Sequence, residues 1–176
     1  MIMVQQDQLI QFQELALGSR LKRLSDHLMK ETAMVYRDLQ LNFDPYLMPI
    51  FKLVSEKDRL TIGELSCALR VTQPAVTQFV NALIKRKLVR IAIDKTDKRK
   101  RKVSITKTGI KMLADLAPIW KVIDNEMKIL THHRKNKTLL DHITYVENEL
   151  ANESFSKRIL KKIKITPSEK VALENP

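Results

Sequence analysis

The chain has 176 residues, with 32 Lys and Arg against 20 Asp and Glu, a formal charge of +12 and an isoelectric point near 9.9. Hydrophobic residues at 44% can build a core, which excludes wholesale disorder; a single cysteine excludes a disulfide framework and a cysteine-based structural zinc site, and 3 glycines with 5% aromatics argue against a loop-rich or all-β fold. No apolar run reaches the roughly 20 residues that span a bilayer, and the opening MIMVQQDQLIQFQEL lacks the basic start and apolar stretch of a signal peptide. The expectation is a cytoplasmic, mainly α protein whose charge points to an anionic partner: nucleic acid, membrane surface or acidic protein.

In chain order, Asp7 to about Leu39 reads as one long helix, because Leu17, Leu21, Leu24 and Leu28 recur at helical spacing with Arg20, Lys22, Arg23, Asp26 and Lys30 between them. Asn42 and Asp44-Pro45 break that pattern, and Asp44 as N-cap with Pro45 at the first position opens a second helix that stops near Glu56-Lys57-Asp58. Thr61 and Glu64 form a capping box for a third, carrying Leu65, Ala68 and Leu69 and ending at Arg70-Val71. Thr72 caps the next; Pro74 is tolerated there because first-turn amides lack intrahelical partners. In that helix Val76, Val80 and Leu83 face inward, while Gln73, Thr77, Gln78, Asn81 and Lys85 take the opposite side. Two short helices joined by a capped turn outline a helix-turn-helix.

The period then changes to 2. Val89, Ile91 and Ile93 alternate with Arg90, Ala92 and Asp94, and Val103 and Ile105 alternate with Lys102, Ser104 and Thr106. The intervening Lys95-Thr96-Asp97-Lys98-Arg99-Lys100-Arg101 holds no apolar residue, so the segment reads as a two-stranded hairpin with a basic tip. A helix-turn-helix followed by such a hairpin is a winged helix. Thr106 caps a long helix with Leu113, Leu116, Trp120, Ile123, Met127 and Leu130 near one stripe, and Pro118 is where it can kink. Thr138 to Leu150 and Phe155 to Ile163 suggest two more helices, and Thr166 to Pro176 a frayed tail.

The stretch from Asp94 through Asp97, Arg99, Val103, Ile105 and Thr106 to Gly109 resembles the wing signature of MarR-type regulators, D-x-x-D-x-R-x-x-x-V-x-L-T-x-x-G. The resemblance extends over about residues 15 to 150. It implies a winged helix-turn-helix with long N- and C-terminal dimerisation helices: residues 1–40 and 112–164 as dimerisation helices, 41–111 as the DNA-binding lobe and 165–176 as a flexible tail. It further implies a homodimer on pseudo-palindromic double-stranded operator DNA, acting as a ligand- or signal-responsive repressor. The octapeptide Leu17-Gly18-Ser19-Arg20-Leu21-Lys22-Arg23-Leu24 resembles a subfamily sometimes fused to a GNAT acetyltransferase domain; this sequence is too short to hold that domain, so no enzymatic activity is expected. Lys87 departs from the family pattern, standing where a glycine usually closes the recognition helix, and Lys98 stands where arginine is common.

The expected DNA contacts are Thr72, Gln73, Pro74, Thr77, Gln78, Asn81 and Lys85 on the recognition helix, and Asp97, Lys98, Arg99, Lys100 and Arg101 on the wing. The amides of Gln73, Gln78 and Asn81 can pair with adenine in a groove about 12 Å wide, and Thr77 brings a hydroxyl and a methyl that can meet thymine. Lys85 and Arg86 suit phosphates. By the resemblance, Asp97 holds Arg99 for the minor groove. A solvated helix face and a merely soluble hairpin tip are the bland readings of the same residues. His27, Tyr36, Phe51 and Trp120, with Tyr46, are candidates for a small-molecule effector pocket, against ordinary core and interface packing. Cys67 reads as a small core residue. His27, His132, His133 and His142 show no ligand spacing, so neither a metal nor a cofactor is expected. A membrane partner is not expected, since the basic residues cluster on a hairpin. Alternatives are a winged-helix protein-interaction module, and a regulatory part of an acetyltransferase system without its own activity.

Overall fold

The computed structural model describes residues 7–57, 59–93, 101–132 and 138–162. Helix α1 (Gln8–Gln11) begins at Asp7, whose carboxylate accepts from the Leu9 amide at 3.1 Å, and is followed by a 3-10 turn (Gln13–Ala16) and α2 (Leu17–Asp38). The long helix expected from Asp7 is therefore interrupted. Gln13 sits at φ 49, a left-handed geometry that ends one helical run before the next begins. Asp7 is held against α2 by a two-pronged bridge to the Arg23 guanidinium, at 3.1 and 2.6 Å. That hydrogen-bonded cation holds the Asp7 carboxyl below the usual carboxylate range, the Leu9 amide acting in the same sense.

Asp44 accepts from the Tyr46 amide at 3.0 Å and starts a 3-10 turn (Pro45–Leu47) that runs into α3 (Met48–Glu56). Strand β1 (Leu60–Thr61) leads into α4 (Ile62–Leu69), where the capping box forms as expected: Glu64 accepts from the Thr61 amide at 2.7 Å and the Glu64 amide donates back to the Thr61 hydroxyl at 3.1 Å. Helix α5 (Gln73–Lys85) follows, then β2 (Val89–Ile93) and β3 (Arg101–Ile105). The sheet has three antiparallel strands in the order β1-β3-β2, where two were expected. The added strand is two residues long and pairs Leu60 with Val103, a partner 43 positions away that no local pattern reveals.

Helix α6 (Lys107–Thr131) contains Pro118. Its stripe is graded: Leu116 is buried, Leu113, Trp120, Ile123 and Met127 are half-buried, and Leu130 is exposed. Helix α7 (Leu139–Asn152) opens on a second capping box, Thr138 with Asp141, and α8 (Phe155–Leu160) closes the described chain. Arg158 donates to Glu149 at 2.8 Å, and Lys161 bonds Glu153, so two of the C-terminal cations are neutralised by carboxylates at the end of α7. The anticipated tail lies outside the described residues.

The chain divides into two units, Met1–Asp115 and Leu116–Pro176. The core of the first is made of Tyr36, Phe43, Leu47, Ile50, Phe51, Val54, Leu65, Val76, Val80, Leu83, Leu88, Val89 and Val103. In the second, α7 and α8 bury no residue, and Leu140, Tyr145, Val146, Phe155 and Leu160 are exposed. None of the described helices is long and apolar enough to cross a membrane.

Candidate nucleic-acid interface

Helix α5 is fixed at both ends. At its start the Ala75 amide reaches the Thr72 hydroxyl at 3.5 Å, and in the preceding turn Arg70 takes the left-handed region at φ 53. There the Val71 amide donates to Ser66 O and the Arg70 amide to Cys67 O, the paired bonds that close a helix without glycine's help. The Ser66 hydroxyl returns the favour, donating to Val71 O at 2.6 Å across the turn. Sequence reasoning passed over Ser66, although a serine four residues before such a turn is a fair signal for it. At the far end Lys87 stands at φ 60, with Lys87 N to Ile84 O at 2.8 Å and Leu88 N to Leu83 O at 3.0 Å. The lysine in the glycine position thus does adopt the left-handed geometry, at a cost of about 1 kcal/mol.

A junction then ties α5 to the wing and to the first turn of α6. The Thr106 hydroxyl donates to Lys87 O at 2.7 Å, the Thr106 amide donates to Leu88 O at 3.0 Å, and the Gly109 amide donates to the Thr106 hydroxyl at 3.0 Å. Gly109 comes so near that a Cβ there would lie 2.1 Å from Leu88 O and 2.7 Å from Ile105 Cγ1. Only glycine permits this approach. The T-x-x-G of the wing signature therefore has a physical reason in this chain: Thr106 and Gly109 set where the recognition helix ends relative to the sheet.

Between these fixed ends Val76, Val80 and Leu83 are fully buried, and Thr72, Gln73, Pro74, Thr77, Gln78, Asn81 and Lys85 are all exposed. The structure thus brings the expected recognition-helix residues onto one face. Gln73 leans back: its side-chain nitrogen is 3.8 Å from where a Cβ on Gly63 would sit. Arg86 is half-buried and its guanidinium bonds its own helix at Ala82 O, whereas the neighbouring Lys85 is exposed. On the wing, β2 and β3 pair Val89 with Ile105, Ile91 with Val103 and Ile93 with Arg101. Arg101 is exposed; Asp97, Lys98, Arg99 and Lys100 lie outside the described residues. On the other face Arg90 donates to Ser104 at 3.4 Å, a cation that sequence reasoning did not single out.

Residues 57–111 contain 15 basic and 4 acidic residues, a net +11 of the chain's +12. The helix-turn-helix and wing therefore hold nearly all of the unbalanced charge.

The proposed effector residues are spread over different environments. Tyr36 and Phe51 are buried and flank Phe43, with ring centroids at 5.9 and 5.3 Å, so their faces pack the core of the first unit. His27 and Tyr46 are exposed, and Trp120 is half-buried in the second unit. Phe43, the ring that joins Tyr36 to Phe51, sits in the loop after α2 and had no helical or strand period to announce it. Cys67 is exposed, which corrects its reading as a core residue: α4 turns Leu65 inward, and position 67 falls two residues on, toward solvent. Among the described residues no cluster of three or more His, Cys, Asp or Glu could hold a metal ion.

Helix-turn-helix, three-stranded sheet and flanking helices together define a winged helix-turn-helix fold. Residues 50–100 match the sequence model of the MarR family. The structure of Staphylococcus aureus MepR bound to DNA superposes with a TM-score of 0.61 at 15% identity, covering 80% of this chain and 98% of that one. Bordetella bronchiseptica BpsR, whose DNA binding is regulated by 6-hydroxynicotinic acid, gives 0.56 at 18%, covering 77% and 92%. The adhesin competence repressor AdcR of Streptococcus pyogenes gives 0.56 at 20%, covering 78% and 96%. At these identities the likeness establishes the shared fold. None of the curated proteins matches the chain.

Proposed function

We propose that this chain is a MarR-family transcriptional regulator that binds pseudo-palindromic double-stranded operator DNA as a homodimer and represses transcription until a ligand or signal releases it. The observation that carries the reading is the confinement of +11 charge units to the segment whose recognition helix turns an exposed polar face to solvent. Phosphates supply most of the affinity for such a surface, and side chains on the helix supply the choice of sequence.

The dimer reading is supported by leucines that the other described residues leave nearly half exposed: Leu17, Leu21 and Leu24 on α2 remain 49%, 43% and 44% exposed. Two copies joined through such helices would present two recognition helices about 34 Å apart, one turn of the duplex. The repressor role and the response to a ligand are drawn from AdcR and BpsR as described above, and the DNA partner from MepR. The likeness of Leu17–Leu24 to the acetyltransferase-fused subfamily rests on that octapeptide alone, and this reading includes no enzymatic step.

The test is selection of bound duplexes from a random pool at roughly physiological salt, where phosphate contacts alone bind weakly. A palindromic consensus is expected, weakened broadly by Arg99→Ala and altered at one base position by Gln78→Ala. Binding that is weak, salt-sensitive and equal for all sequences would refute the reading and favour a winged helix that docks an acidic protein.

A further inference from the structure

We propose that Thr77 reads the C5-methyl group of a pyrimidine in the major groove through its own methyl group and not through its hydroxyl. The inference rests on the DNA-binding reading above and assigns the chemistry of one position within it.

Thr77 lies in the middle of the exposed face of α5. Its hydroxyl donates to Gln73 O at 2.8 Å, one helical turn back, so the hydroxyl proton is already committed to the helix itself. Donation to a base would require breaking that bond, with little net gain from the exchange. The side-chain groups left for a partner are the methyl and the oxygen's remaining lone pair. Pro74, three residues earlier and exposed on the same face, offers an apolar ring and no amide hydrogen beside it. Gln78 and Asn81 flank this spot, and their amides make no hydrogen bond to any described residue.

The face therefore offers an apolar spot, Pro74 with the Thr77 methyl, beside the two exposed amides of Gln78 and Asn81. Among the four base pairs, the C5-methyl of thymine is the one apolar group on the major-groove edge, and the adenine paired with it takes an amide bidentately. A cytosine methylated at C5 presents the same group, so the shared chemistry is a 5-methylpyrimidine.

The test uses the full chain and its selected duplex. Each thymine is replaced in turn by deoxyuridine, which removes the methyl alone, and affinities are measured for wild type, Thr77→Val and Thr77→Ser. Wild type and both variants are checked for equal helicity and melting temperature. One thymine in each half-site is expected at which deoxyuridine weakens wild type and Thr77→Val about fourfold, the worth of one buried methyl, and leaves Thr77→Ser unchanged. At that position 5-methylcytosine should bind better than cytosine by a similar factor only when residue 77 carries a methyl, which separates the methyl group from thymine's other features. A consensus with no thymine whose methyl effect depends on residue 77 would overturn the inference, as would retention of the effect in Thr77→Ser and its loss in Thr77→Val. Absence of any consensus for wild type would overturn the DNA-binding reading itself, a different result from either.

Discussion

Residues 57–111 and the helices on either side of them use their side chains in opposite ways. The winged helix buries Leu65, Val76, Val80, Leu83, Leu88, Val89 and Val103 and leaves charge outside, whereas α2, α7 and α8 leave leucines, aromatics and Val146 outside and carry little net charge. A region that buries its apolar residues in a shared core and exports charge is satisfied in packing and incomplete as an electrostatic object. A region that leaves apolar residues in water is incomplete as a fold. On the function proposed above, an anion completes the first and another protein surface the second.

The comparison can be broken most forcefully in the core. Phe51→Ala removes a fully buried ring packed against Phe43 and should cost about 3–5 kcal/mol in urea unfolding; a loss under about 1 kcal/mol would mean the first unit is not a close-packed core. Gly109→Ala comes next. Its Cβ would meet Leu88 O and Ile105, so the backbone must shift, costing about 1–3 kcal/mol. Because the same junction fixes the end of α5, its discrimination between consensus and random DNA should fall in a competition assay more than its melting temperature does. Lys87→Gly works in the opposite direction: relieving the left-handed lysine, partly offset by a freer unfolded chain, should raise stability by about 0.5–1 kcal/mol.

The smallest effect lies at the N-terminal arm. Asp7 is held by Arg23 with its carboxyl below the usual value of 3.8, so the bridge contributes above that pH and is lost as the pH falls through the lower folded value. Amide exchange over Leu9–Ala16 should therefore be faster in Asp7→Asn than in wild type at pH 7. The difference should close at pH values below the folded carboxyl's own. Equal exchange at pH 7 would mean the arm is not held by this bridge.

What the sequence made legible was local. Caps at Asp44, Thr61 and Thr72, the inward stripe of Val76, Val80 and Leu83, and the hairpin that pairs Val89 and Ile91 with Ile105 and Val103 each depend on residues a few positions apart or on a simple period, and each forms as expected, with Arg101 moved from the anticipated tip into the second strand. What escaped depends on distance in sequence. Strand β1 exists because β3 passes beside it; Phe43 is buried because two rings from different helices meet in its loop; the Thr106 junction requires knowing where the Leu88 carbonyl ends up. The break after Phe12 escaped for another reason: apolar spacing continued through it, and nothing at Gln13 marks a left-handed residue. For the recognition helix, exposure was legible and hydrogen bonding was not, so only the structure shows that the Thr77 hydroxyl is already committed.

The central claim is that the apolar flanks bring two winged helices to one duplex. Its most direct test is the mass of the complex formed with the selected palindromic duplex and with a duplex cut to one half-site, for wild type and for the double variant Leu21→Glu, Leu24→Glu. Two chains per full duplex are expected, with binding at least a hundredfold weaker both on the half-site and for the monomeric variant, since each loses the second, linked contact. One chain per duplex, with the half-site bound as tightly as the whole, would contradict the account.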